Sequence, residues 1–153
     1  MSKTGHVISG VALGIAAIHF EPKAPALAVA AFIGALLPDA AEGVFGWWGN
    51  VRWSLIPHRT LTHWAYLYIG ILCATVHLQP TQHAIAIGLC LGSLLHIGLD
   101  AFSPMGIPLG SPFGERTSIR FPGGSSLYHT GALSEMPLWL ALFALAGVAC
   151  LIP

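Results

Sequence analysis

Five apolar stretches, divided by turn-forming segments, take up most of this chain. They run from about Gly5 to Phe20, Pro25 to Leu37, Leu61 to Leu78, His83 to Phe102 and Met136 to Ile152. What such runs fold into depends on how much charge the chain has to cover them. Charged residues make up 8% of the sequence, where a soluble domain carries about 25%. So little charge cannot clothe a water-facing surface. The sequence therefore predicts an all-α, integral membrane helical bundle of about five spans, forming a single membrane-embedded domain over residues 1–153. The first two stretches are short for a span of about 20 residues. They are thinned or extended into polar flanks, or else form a re-entrant helical pair.

The separators are "EPKAP", "LQPTQ", "GWWGNVRWSLIP" and a long Gly/Pro-rich loop before the last helix, "SPMGIPLGSPFGERTSIRFPGGSSLYHTG". Trp47, Trp48 and Trp53 suit a membrane–water interface. The N-terminal segment has a lysine followed by an apolar run, as a signal peptide does. His6 interrupts the run early and "IHFEP" is no small-residue cleavage site, so the segment reads as a retained first span. Cys73, Cys90 and Cys150 lie in apolar runs without C-x-x-C spacing and read as small buried hydrophobes. Gly10/Gly14 and Gly88/Gly92 form G-x-x-x-G pairs and Gly98 adds another small residue, a helix-packing pattern with no chemistry of its own. Formal net charge is zero, which argues against nucleic-acid binding through a basic face.

Alternation of five spans assigns each connection to a side. Lys3, Arg52, Arg59, Arg116 and Arg120 fall on the side of the N-terminus, and Lys23 alone falls on the other. The positive-inside rule then puts the N-terminus in the cytoplasm. The unusual polar residues share that side. His6 opens the first span, Asp39 ends the second, His58 and His63 open the third, His96 and Asp100 close the fourth, and Glu135 opens the fifth. Ionisable groups in spans are costly and mark functional sites. His96 and Asp100 stand four apart, on one helix face. Imidazoles and carboxylates gathered at one depth suit a divalent metal, and six candidates (His6, Asp39, His58, His63, His96, Asp100) exceed the needs of one tetrahedral ion. They suit two ions about 3.5–4 Å apart, as in phosphoester hydrolases, or a smaller ligand set with orienting neighbours. Zinc is the first expectation, with manganese or magnesium as alternatives.

The segment "IPHRTLTHW" is polar because it faces that pocket rather than lipid. His58 and His63 are its ligands, Arg59 is shaped to grip an anionic oxygen, and Thr60 and Thr62 can cap the incoming helix or hydrogen-bond a ligand. Arg59 and Glu135 are the catalytic candidates. For Glu135 the competing reading is a capping carboxylate in the first turn of the last helix. His19, His77 and His83 lie at the far side and read as interfacial, while His129 stands in the long loop.

With these motifs in place, the chain resembles the YdjM-like family of LexA-regulated, membrane-bound metal-dependent hydrolases. The matching pieces are "TGHVISG", "GALLPDA", "HRTLTHW" and "LGSLLHIGLDAFSPMGIPLGSPF", with "RTSIRFPGG" a looser match. The resemblance implies metal-dependent hydrolysis in a bacterial inner membrane. With the site's position it suggests a phosphoester or related ester of a lipid-like substrate. The alternative is a membrane protein without enzymatic activity, using the same residues for a structural metal or for transport or partner binding.

Overall fold

The computed structural model describes residues 1–48 and 51–151, with the backbone alone for 44–48 and 51–53. The side chains of Trp47, Trp48 and Trp53, and of Arg52, thus lie outside the described residues. The five apolar stretches all fold as helices. α1 (Lys3–Phe20) begins where Ser2, in extended conformation, accepts the Gly5 amide on its hydroxyl. α2 (Pro25–Gly34), α5 (Pro80–Ala101) and α6 (Met136–Ala149) each carry proline in the first turn, where its missing N–H breaks no helix bond.

Two boundaries differ from the sequence expectation in ways that matter for the site. The second stretch does not run unbroken to Leu37. It ends at Gly34 and resumes as a single turn, α3 (Leu37–Ala40), which carries Asp39. The third stretch does not begin as α-helix at Leu61. Residues Leu61–His63 form a 3-10 turn, Trp64 is extended, and α4 (Ala65–Ala74) starts only beyond it. The threonines explain this. Thr60 Oγ1 donates back to the Pro57 carbonyl and Thr62 Oγ1 engages His63 Nδ1, so neither caps α4. His63 therefore sits on a tight turn ahead of the helix.

The structure is mostly helical but not all-α. β1 (Val44–Trp48) pairs antiparallel with β2 (Val51–Ser54), and β3 (Ile107–Pro108) with β4 (Arg116–Thr117). The first hairpin is rich in valine and tryptophan, which favour extended backbone. The second folds the long loop, and Gly106 permits it: at φ +65, a Cβ there would fall 2.4 Å from the Thr117 carbonyl oxygen.

α5 is the central element, packed on α1, α2, α3 and α4. Glycines let α2 and α5 meet backbone to backbone. A Cβ on Gly92 would fall 2.1 Å from the Ala31 oxygen, and one on Gly88 2.4 Å from that of Leu27. Gly34 faces the Leu89 backbone just as closely. Gly10 packs on Ala35, whereas Gly98 faces open space, so its smallness serves no helix contact. Tyr68, Cys90, Ile97, Ala101 and Ile107 form one buried cluster, and Met1, Leu99 and Tyr128 another. The long loop is strapped across the end of α5. Tyr128 donates to the Leu99 carbonyl, Ile119 to that of Ala101 and Leu127 to that of Phe102.

Among the described residues, α5 alone is long and apolar enough to cross a bilayer by those measures. α2 and α4 have 10 residues each and α6 has 14, short of the usual 20 or so. Exposed apolar side chains nonetheless line the outside. Val7, Val11, Ile15 and Ile18 run along one edge of α1, and Leu140, Phe143 and Leu145 project from α6. Surfaces of this kind mark contact with lipid or protein.

Candidate metal centre

The α2–α5 crossing sets the first piece of the site. It brings the Ala35 carbonyl 2.7 Å from His96 Nδ1. A carbonyl only accepts, so Nδ1 carries the proton and Nε2 presents its lone pair inward. One turn on, Asp100 Oδ2 lies 3.6 Å from that Nε2. His6, from the first turn of α1, stacks on the His96 ring at 3.5 Å and sets its Nε2 3.5 Å from Asp100 Oδ1.

His63 enters from the 3-10 turn. Its Nε2 lies 3.2 Å from His96 Nε2, 3.5 Å from Asp100 Oδ2 and 3.6 Å from Asp39 Oδ1. Two imidazole nitrogens this close repel unless a proton or a metal cation lies between them. Asp39 joins His63 and His96 in one donor group, and Asp39, Glu42 and His58 form another. The third group is His6, His96 and Asp100. All six histidine and aspartate candidates from the sequence thus converge in the fold, sharing Asp39 and His96 between groups.

Glu42 is the residue that sequence reading missed. It is fully buried, and its carboxylate lies 2.9 Å from His58 Nδ1 and 3.3 Å from His63 Nδ1. It also accepts the Arg59 amide at 2.9 Å. The Glu42 carboxylate thereby fixes His58 with Nδ1 protonated and Nε2 free, and Thr62 Oγ1, 3.1 Å from His63 Nδ1, does the same for His63, the usual arrangement behind metal-bound histidine. Burial pushes the Glu42 carboxyl up. Hydrogen bonds from His58 and the Arg59 amide, with the charges of His58 and His63, outweigh it and hold the group below its ordinary value. A signal was present in "LPDAAE": an acid three residues past Asp39 falls on the same face of a helical turn.

Arg59 does not reach outward. Its guanidinium is buried, with Nη2 2.7 Å from Asp100 Oδ1 and Nη1 donating to Ser103 Oγ and the Gly106 carbonyl. The backbone takes φ +54 there, a conformation costly to a residue with a Cβ. That bend aims the Arg59 amide at Glu42 and the side chain at Asp100. The Met1 amino group also contacts Asp100 Oδ1. Arg116, on β4, is exposed and donates to the His58 carbonyl at 2.7 Å, which places it beside the outer end of the cluster.

Glu135 stands apart from the three donor groups. Its oxygens accept Ser2 N, Ser2 Oγ and Gly131 N. It ends a 3-10 turn at the N-cap position of α6, but its side chain accepts no amide of that helix. His77 and His129 are exposed, and His83 bonds the Thr75 carbonyl. None of them joins the cluster.

The donor set fits a divalent cation. His6 Nδ1 and Nε2 and Asp39 Oδ1 are buried without hydrogen-bond partners. Orphaned buried groups of this kind are unfavourable unless something else satisfies them. Nitrogen and carboxylate oxygen are what zinc, manganese or iron takes.

Fold and site together define a predominantly helical protein with a buried histidine–carboxylate cluster. The chain belongs to the YdjM family, described as YdjM inner membrane protein, which matches residues 1–152. It is also similar to a Bacillus subtilis (strain 168) protein whose name reads "Uncharacterized protein YvsG". The two are 31% identical over 158 residues, covering 98% of this chain and 92% of that protein. No solved structure matches.

Proposed function

We propose that this chain is a multi-pass inner-membrane hydrolase. Its site holds one or two divalent ions, zinc before manganese or magnesium, and cleaves a phosphoester or related ester of a lipid-like substrate. The observation that carries this reading is the cluster's graded exposure. His6, His63, His96 and Asp100 are sealed from solvent, while the Asp39 and His58 side chains are 28% and 34% exposed. Catalytic metal sites keep an open position, and structural ones are closed. Here ligands anchored inside meet donors that water and substrate can reach.

A divalent ion held there supplies Lewis acidity toward the scissile ester and toward water. The chain's own residues do the rest. Glu42 fixes His58, Thr62 fixes His63, Arg59 orients Asp100, and the exposed Arg116 grips the anionic group of the substrate. The apolar outer surface supports five membrane crossings, and the basic residues favour a cytoplasmic N-terminus and site.

The closed inner group favours a second reading, a structural metal with no turnover. Metal analysis of the purified protein, beside Asp100→Ala, His63→Ala and His77→Ala, tests both. Full occupancy in wild type and His77→Ala, with loss in the other two, supports the site. Equal occupancy in all four overturns it. Release of inorganic phosphate from a lipid phosphomonoester, or of the headgroup from a phosphodiester lipid, in nanodiscs by the loaded protein separates enzyme from structural site.

A further inference from the structure

We propose that Glu135 is a positioning residue that holds the first turn of α1, so that His6 keeps its place against His96. The proposal rests on the metal reading above for its effect on ligand binding, and on geometry alone for its effect on His6. Three of the four clustered histidines have Nδ1 fixed by a partner. Glu42 holds His58, Thr62 Oγ1 holds His63, and the Ala35 carbonyl holds His96. His6 has none: both its ring nitrogens are buried and unpartnered in hydrogen-bonding terms. Beyond its stacking on His96 and its approach to Asp100, where its ring lies is set by where the backbone of α1 lies.

Glu135 sets that backbone. It is a fully buried carboxylate whose hydrogen bonds all come from neutral donors. Two of the three belong to Ser2: its amide at 2.9 Å and its hydroxyl at 2.6 Å. Ser2 passes the restraint on. Its hydroxyl caps the Gly5 amide, and its carbonyl accepts the His6 amide at 3.1 Å. A second contact lies one helical turn beyond Glu135. A Cβ on Gly5 would fall 2.8 Å from Trp139 Nε1, so the starts of α1 and α6 press directly together. The third bond, from Gly131, ties the end of the long loop to the same carboxylate. Burying a charge at this junction is costly. What the junction fixes is, among the described residues, the helix that delivers a histidine to the cluster with no hydrogen-bond partner on its ring.

The test uses the full chain in nanodiscs and Glu135→Gln, which keeps the side chain's shape. Histidine carbethoxylation, read by mass spectrometry on metal-free protein, reports exposure of each ring. The expected result is new labelling of His6 with His63 and His96 still protected. Labelling of all three, or of none, overturns the proposal, since the first is general loosening and the second is no positioning at all. Co²⁺ titration gives the second readout. Glu135→Gln should weaken Co²⁺ binding about tenfold, as loss of an orienting neighbour does. In a His6→Ala background the same change should cost nothing further, because the two act in series. An undiminished tenfold loss in that background makes Glu135 independent of His6 and sinks the idea. If wild type takes up no Co²⁺, the metal reading fails, and the labelling pattern alone decides the role of Glu135.

Discussion

Arg59 Nη2 lies 2.7 Å from Asp100 Oδ1, and both side chains are buried. The pair sets how the Asp100 carboxylate is turned within the cluster. Oδ1 faces the guanidinium, the Met1 amino group and His6, and Oδ2 is the oxygen turned toward His63 and His96. Arg59 is in turn braced by Ser103 Oγ and the Gly106 carbonyl, so Asp100 is held from behind by the loop that follows it in sequence.

Arg59→Lys keeps a charge but loses the fork that spans Asp100, Ser103 and Gly106. Metal affinity is expected to fall about 10–100-fold, as for loss of an orienting neighbour, with inorganic phosphate affinity of the loaded protein little changed. Arg116→Ala should do the opposite. Titration calorimetry with Zn²⁺ and then phosphate distinguishes them, and the reversed pattern would return Arg59 to the substrate. Arg59→Ala leaves Asp100 buried without its partner and should cost about 3–5 kcal/mol of stability.

Glu42 predicts an acid limit. Its folded-state pKa lies below the ordinary 4.5, so the unfolded chain binds its proton more readily. Its contribution is complete above pH 4.5 and is lost as pH falls from there through the lower folded value. Thermal unfolding of metal-free protein in detergent should show the melting temperature dropping across that window. In Glu42→Gln the drop should be shallower, from a lower starting point. An unchanged pH slope in the variant would mean that Glu42 is not the group responsible.

Gly92→Val should disrupt more than helix packing. Its Cβ would collide with the Ala31 carbonyl oxygen at 2.1 Å, with backbone on both sides and nothing able to swing away. Overpacking of this kind costs about 1–3 kcal/mol or more. Since the same crossing supplies the Ala35 carbonyl to His96, metal occupancy should fall as well. A Cβ on Gly98 meets nothing within 4 Å, so Gly98→Val serves as the control. Detergent melts with metal analysis check both, and equal behaviour of the two variants would contradict the close crossing.

The proposed topology is open to a direct check. Reporter fusions at Pro153 should be active outside the cytoplasm and fusions ahead of Met1 inside it. Activity on one side from both ends would require an even number of crossings.

The apolar stretches told how many helices to expect because hydrophobicity is local: a run of residues carries it whatever its neighbours do. The histidines and aspartates were legible for a related reason. An ionisable group in or beside such a run stands out by its cost, and each of these fell near an opening or a close of its run. What the runs did not carry was their own endings. The break at Gly34 and the 3-10 turn at Leu61–His63 come from backbone packing and threonine hydrogen bonds, which hydropathy does not register. The hairpin Ile107–Pro108 with Arg116–Thr117 lay inside a loop whose glycines and prolines signalled only turns.

Sequence alone determined the inventory of this protein: apolar helices, scarce charge, and metal-binding residue types sorted to one end. Tertiary structure decided the roles. Glu42 drew no attention in the sequence, and its burial beside His58 and His63 makes it an orienting carboxylate of the cluster. Arg59 looked like an outward grip, and its partner proved to be Asp100, 41 positions along the chain, across a turn that bends its backbone to φ +54. A residue's type and spacing fix what it is able to bind. Which partner it meets depends on distances between segments remote in sequence, and those exist only once the helices have packed.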